Sequence, residues 1–369
     1  MDRTTQRTEV EAKAQGSTVS TNDACPWPFV SVQIVTYNRS AFLLQALHQI
    51  AAQDYPGPLE VIIMDDSPKK HQLAEFPQDL QIKYFHVDRT TIGEKRNMAV
   101  AEATRSGADV ICIWDDDDIF TVDRLRQQVS RMMARSASCS SIQVAFVAIL
   151  NLGTFQRCKG LPLPFENSFC FKRSWLQSRP NFSNSSLGEG NVIFDALDDW
   201  YSEAQPISGE ELPFLYVRTE TSTAPDDALE PYPVKSMLIP SSGNGCTQVD
   251  VALLALARAL WRGRFPKIRG PGSAALEATR KTMRKIIGKD VLAMRNNWKN
   301  SKQLAVSYWN ALNSQIWSYS GGVPEGSVDT RYKRLVEYRP AEDMSSFPDE
   351  PTEDIAEALD FLEEAIQYF

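Results

Sequence analysis

Along residues 29–149, short apolar runs alternate with apolar residues at helical spacing. Positions 30–35 (VSVQIV) read as a strand, and 59–64, 82–87 and 110–114 as three more. Phe42, Leu43, Ala46, Leu47 and Ile50 recur on one helix face, and 94–106 and 122–134 read as further helices. Strands this uniformly apolar must be covered on both faces. Their alternation with helices predicts an α/β fold around a mainly parallel sheet.

The pattern is more irregular from 141 to 216. It predicts a strand at 142–150, a short helix at 172–177, a helix at 190–202 and a strand at 214–217. Residues 221–240 are rich in Pro, Asp, Glu and Ser and read as a linker. Beyond them the periodicity is helical, at 249–261, 273–298, 303–317 and 352–368. The expected organisation is a flexible N-terminal tail (1–28), an α/β domain (29–228), a linker (229–248) and a helical C-terminal extension (249–369).

Polar clusters stand just past three of the strands: Thr36-Tyr37-Asn38, Asp65-Asp66-Ser67 and Asp115-Asp116-Asp117-Asp118. In an open parallel sheet, ligands bind outside the carboxyl ends of the strands, so the three clusters should converge on one cleft. A GxGxxG turn after the first strand and a GxxxxGK[ST] loop are both missing, which disfavours a dinucleotide site and a P-loop. Four successive aspartates repel a phosphate unless a divalent cation stands between. Carboxylates are hard ligands suited to Mg²⁺ or Mn²⁺, which complete their shells with substrate phosphates, so a diphosphate held through a metal fits best. The plainer alternative is a solvated turn with Asp118 capping the next helix. A calcium EF-hand is excluded because Phe120 stands where its loop needs Gly.

Composition narrows the picture further. A chain of 369 residues with 43% hydrophobic and 23% charged residues has room for a large packed domain and a smaller one. Its six cysteines form no CxxC pair and read as reduced, mostly buried thiols; its three histidines have unrelated spacings and argue against zinc. The polar first 22 residues lack the apolar run of a secretory signal, and the longest apolar stretch, 251–260, is too short to span a bilayer. A cytoplasmic location, or one at the periphery of a membrane, is expected.

VSVQIVTYNRS, EVIIMDDSP and IGEKRNMAVAEATRSGADVICIWDDDDIFTVDRL occur in that order, and together they resemble the inverting family-2 glycosyltransferases of the GT-A fold. The resemblance covers about residues 29–225 and rests on all three motifs. It implies a Rossmann-like, mixed but mainly parallel sheet, a nucleotide-diphosphate sugar as donor (a UDP-sugar by preference), a hydroxyl acceptor and Mn²⁺ or Mg²⁺. By the same resemblance Thr36 and Tyr37 would line the nucleobase pocket, with Tyr37 stacking on the base and Asp66 accepting a hydrogen bond from it. Arg96, with Lys95, would lie near the nucleotide. Asp117 would ligate the metal and Asp115 would join it or contact the ribose or sugar, with Asp116 and Asp118 in support.

Inverting transfer also needs a general base, which in the family lies in a Gly-Glu-Asp-like motif. Here that segment reads Gly188-Glu189-Gly190, so Glu189 is the expected base, with Asp195 and Glu210 as alternatives. A second departure is Thr219, where relatives often carry His. Two other functions remain open, a non-catalytic binder on the same fold and an Asp-dependent phosphatase.

Residues 251–302 carry thirteen cations against Glu277 and Asp290, a local net charge of +11, whereas 340–369 is acidic. The basic stretch could be solvated helix faces paired with the acidic tail, a peripheral contact with anionic membrane, or a binding surface for nucleic acid or another polyanion.

Overall fold

Val30–Thr36 (β1), Leu59–Asp65 (β2) and Gln81–His86 (β3) run parallel side by side, and Val110–Ile113 (β4) pairs parallel with the other edge of β1. The computed structural model describes residues 27–143, 146–149, 154–158, 166–195, 206–207, 211–219, 231–233, 238–240, 247–249, 251–261, 263–302 and 304–305, with a few positions between 350 and 363. Alternation along the strands sorts their side chains between two helical layers. Val61 and Ile63 pack with Leu43, Leu47 and Ile50 of Ser40–Ala51 (α1), whereas Ile62 and Met64 pack with Ala99 and Ala103 of Ile92–Ser106 (α2). The expected α/β architecture, a mainly parallel sheet flanked by helices, is therefore present.

Helix α2 begins two residues before the expected 94, because Thr91 caps it by accepting a hydrogen bond from the Glu94 amide at 3.2 Å. It ends at Gly107, whose φ of 80° is the left-handed conformation that terminates helices. The aspartate run is followed by a two-residue strand, Ile119–Phe120 (β5), before Arg124–Ala134 (α3). Asp118 is therefore not a helix cap.

The expected strand at 142–150 is two strands in different sheets. Cys139–Ile142 (β6) joins the first sheet and Phe146–Ile149 (β7) the second, because the chain changes layers between them. Thr154–Cys158 (β8) pairs with β7, and Cys170–Lys172 (β9) inserts antiparallel between β4 and β6. Single-turn helices follow at Arg173–Leu176 (α4) and Asn191–Phe194 (α5); the rest of the helix expected to 202 lies outside the described residues except Asp195. Pro206–Ile207 (β10) completes the first sheet, whose order is β10-β6-β9-β4-β1-β2-β3. Phe214–Arg218 (β11) lies between β7 and β5 in the second sheet.

The segment expected as a linker contains strands at Pro231–Pro233 (β12), Leu238–Pro240 (β13) and Thr247–Val249 (β14), and β12 pairs with β8. Val251–Trp261 (α6) and Gly272–Asn296 (α7) follow. Their apolar faces form one core with Ile119, Phe146, Leu215 and Val217, so these helices share the second sheet's interior. Arg264 pairs with Asp123 at 2.8 Å, and Gln45 of α1 accepts from the Gly272 amide at 2.6 Å. Arg295 pairs with Glu363 at 2.9 Å and also with Asp360, so part of the basic stretch does face the acidic tail. The helices expected at 303–317 and 352–368, and the tail up to residue 26, lie outside the described residues but for isolated positions.

One cysteine expectation is overturned. Cys112 and Cys170 form a disulfide, because the antiparallel β4–β9 pairing sets them directly opposite each other. They are 58 residues apart, so spacing gave no sign of it. Cys139 is a buried free thiol, as expected. No helix among the described residues is long and apolar enough to cross a membrane.

Candidate active site

Parallel register places the tips of β1, β2 and β4 at one edge, with Thr36 beside Asp65 and Gln33 beside Ile113. Just past β1, Asn38 takes φ 53°, a left-handed turn that Asn tolerates better than most residues, and its amide donates to Ser67 Oγ at 2.6 Å. This turn carries Arg39 back over the acidic loop. The resulting cleft, about 550 Å³, is lined by Thr36, Tyr37, Arg39, Lys95, Arg96, Asp115, Asp116, Asp117, Glu166 and Glu189 among others. Eight of the ten site residues expected from the sequence line it; Asp66 and Asp118 do not.

Asp66 lies beneath the cleft wall with its side chain 0% exposed. Its oxygens accept from Lys95 Nζ at 2.7 Å, Arg89 at 2.6 Å and the Thr90 amide at 3.1 Å. Burial pushes the carboxyl up, but these hydrogen bonds outweigh it and hold Asp66 below the usual carboxylate range. Lys95 also donates to Thr36 O at 3.0 Å, so Asp66 supports the cleft through Lys95. Tyr37 is 39% exposed, and the Arg89 guanidinium stacks 3.7 Å from its ring centre.

The acidic loop is the most charged part of the site. Thr36 donates to Asp116 at 2.7 Å, while Arg39 bonds Asp117 at 2.6 Å and approaches Asp116 at 3.2 Å. Asp118 turns inward, accepting from the Val217 amide at 2.9 Å and from the Asn167 side chain. Gln49 of α1 fixes the backbone here, donating to Asp118 O at 2.9 Å and accepting from the Phe120 amide at 3.0 Å. Burial, and repulsion from neighbouring acids, outweighs the pull of Arg39 and pushes Asp116 up to about 7. Asp117 is raised for the same reasons, and Asp118 is raised well above its ordinary value by burial and by repulsion from Asp117 and Asp115.

Ligand atoms of Asp115, Asp117 and Asp118 lie within 4.8 Å of one another, so these three could hold one cation. The donor set is all carboxylate oxygen, the chemistry Mg²⁺ and Mn²⁺ prefer. Buried acids that resist ionisation are also what an added positive charge would relieve. The residues therefore fit a divalent ion.

Arg96 organises the opposite wall. Its guanidinium is 3% exposed and donates to Asp115 at 3.0 Å and Glu189 at 3.2 Å, with Glu166 at 3.5 Å. Burial works against its charge, but the three carboxylates outweigh that and raise its pKa. Glu166, on the 3-10 turn Glu166–Ser168, is pushed up to about 8 by burial, against the pull of Arg96 and with repulsion from Glu189 and Asp115. Of the alternative bases, Asp195 is exposed and does not line the cleft, and Glu210 lies outside the described residues. Thr219 follows β11 and does not line the cleft either.

Glu189 is positioned by a loop that docks on the start of α2. The Gly93 amide donates to Ser185 O at 2.9 Å, Thr91 Oγ1 to Asn184 at 2.7 Å, and the Ser183 amide to Glu189 O at 2.9 Å. Gly93 is required by proximity, since a Cβ there would stand 1.8 Å from Ser183 O. Gly93→Ala should therefore push the loop off α2 and destabilise the protein by roughly 1–3 kcal/mol, read as a lower midpoint in thermal or urea unfolding.

Sequence reasoning missed Arg39, Arg89 and Glu166. Arg39 and Arg89 have no signal separating them from surface cations, and Glu166 lies in a segment without periodicity.

Fold and cleft together define an α/β protein that gathers acids and guanidinium groups around one cleft at its strand tips. Residues 31–179 match the family model described as glycosyl transferase family 2. An N-acetylglucosaminyltransferase of Mesorhizobium japonicum is 30% identical over 126 residues, covering 32% of this chain and 29% of that protein. One of Rhizobium meliloti is 28% identical over 113 residues, covering 29% and 26%. The chain thus spans less than a third of either relative's length. The solved structure of S. aureus TarS 1-349 in complex with UDP aligns over 92% of this chain and 91% of that one, at 13% identity and a TM-score of 0.38, too low to carry weight here.

Proposed function

We propose that this protein transfers a glycosyl group from a nucleotide-diphosphate sugar to an acceptor hydroxyl, with inversion at the anomeric carbon. The observation that carries this reading is the convergence of Thr36, Tyr37, Lys95, Arg96, Asp115, Asp117 and Glu189 on one cleft, all but Glu189 lying in the stretch that matches the family-2 model. A UDP-sugar is the preferred donor. The names of the two relatives make a UDP-N-acetylhexosamine the first to try.

In this reading the base stacks on Tyr37, on the face opposite Arg89 or in place of that side chain. Lys95, tied to Asp66 and Thr36 O, braces the wall beneath it. Asp117 and Asp115, with Asp118 behind them, would hold Mn²⁺ or Mg²⁺. When bound, that ion supplies positive charge to the departing diphosphate. Arg39 and Arg96 orient the acids around it. The acceptor hydroxyl gives up its proton at the carboxylate end of the cleft, where Glu166 and Glu189 stand.

Incubation with a panel of nucleotide sugars, with and without Mn²⁺ or Mg²⁺, tests this reading through release of free nucleotide. Metal-dependent release from one donor is expected. Donor binding without turnover would support a non-catalytic binder, and hydrolysis of a generic phosphate ester an Asp-dependent phosphatase.

The basic helix suggests where the acceptor is met. Lys281, Lys285, Lys289 and Lys299 are exposed, and an anionic membrane carrying the acceptor would suit them. Co-sedimentation with phosphatidylserine vesicles should fall as salt rises. Salt-independent or absent binding removes the membrane role.

A further inference from the structure

Gly190 has φ −83° and ψ −10°, a conformation open to any residue, so its backbone does not require glycine. Space does. A Cβ at this position would stand 2.4 Å from Cδ and 2.6 and 2.7 Å from the two oxygens of Glu166. The Glu166 carboxylate therefore fills the volume that a side chain at 190 would occupy. It arrives from a different part of the chain, and Asn167 beside it is tied to Asp118 of the acidic loop.

The two glutamates at this wall are held differently. Glu189 Oε1 accepts from Arg96 Nε at 3.2 Å and its side chain is 8% exposed. The Glu166 carboxylate accepts a hydrogen bond from the Gly190 amide, but its Oε1 is buried with no hydrogen-bond partner; its side chain is 18% exposed, and Arg96 Nε is 3.5 Å away. Both residues line the cleft. An oxygen with an unused lone pair can take a proton; one engaged by a guanidinium is better placed to hold that guanidinium still.

We propose that Glu166 is the catalytic base of the transfer, its carboxylate standing where residue 190 has no side chain, and that Glu189 is a positioning residue that orients Arg96. This rests on the glycosyl-transfer reading above. In the step, the acceptor O–H proton passes to a Glu166 oxygen as the acceptor oxygen bonds the anomeric carbon. The bond from that carbon to the diphosphate oxygen breaks, its electron pair leaving with the diphosphate. The proton then passes from Glu166 to water.

The test uses the full chain, the nucleotide sugar that the wild type turns over fastest, and UDP with Mn²⁺ as the binding probe. Glu166→Gln should lower kcat by at least about 100-fold, the range of a lost general base, with UDP affinity unchanged. Glu166→Gly should be equally impaired, and adding Gly190→Asp to it should recover at least about tenfold, because the acid then returns from the other element. Near-wild-type kcat in Glu166→Gln overturns the proposal. So does loss of UDP binding together with turnover, or a double variant no more active than Glu166→Gly. A wild type that turns over no nucleotide sugar refutes the transfer reading itself, and this assignment falls with it.

Discussion

Asp117→Asn is expected to lower metal-dependent nucleotide release by about 1,000-fold or more, the scale of losing a principal electrostatic stabiliser of the leaving group. The protein should remain folded. Burial already disfavours the charged form of Asp117, so a neutral isostere removes a cost, and Arg39 keeps Asp116 at 3.2 Å as a partner. The two readouts should therefore separate, with turnover lost and the thermal midpoint kept or raised. Activity near wild type would refute the role of Asp117 at the metal. A collapse of the midpoint would instead make Asp117 part of the scaffold.

Arg96→Met should act the other way, on stability first. Its buried guanidinium faces Asp115, Glu166 and Glu189, and removing it leaves three carboxylates without their shared cation. Breaking a buried ion cluster by deleting one partner costs about 3–5 kcal/mol, and that is the loss expected in urea unfolding at neutral pH. The sign of its pH dependence follows from Glu166. That carboxyl is raised from 4.5 to about 8 even with Arg96 present. A group raised on folding contributes stability fully below its unfolded value and loses it as pH rises through the folded one. The deficit of Arg96→Met should thus be smallest below the unfolded value of 4.5 and grow as pH rises past about 8. A deficit that shrinks with rising pH would show that Arg96 does not neutralise these acids.

Much of the site was legible because it sits at strand ends, where a local pattern fixes position. The apolar runs preceding Thr36, Asp65 and Asp115 located the strands, and parallel packing brought their tips to one edge. Asp66 was placed correctly at that edge, yet its side chain points into the wall, because Lys95, Arg89 and the Thr90 amide reach it from α2 and the segment before it. Asp118 was read as a supporting acid or a cap; β5 intervenes, and the second sheet claims its carboxylate through Val217. Glu189 reaches the cleft as expected. The acid that fills the space beside Gly190 comes from residue 166, and no spacing rule connects the two.

Taken alone, the sequence determined the layered α/β domain, the sheet edge at which the polar clusters converge and the acidic loop that marks it. Burial periodicity and charge clustering are local properties, written over a few residues. Only the tertiary structure decided which carboxylates share Arg96, that Arg39 covers the acidic loop, that Cys112 meets Cys170, and that α6 and α7 close over the second sheet. Those contacts join residues tens to hundreds of positions apart, and their partners are set by strand order and layer crossing, which hydrophobic pattern leaves open.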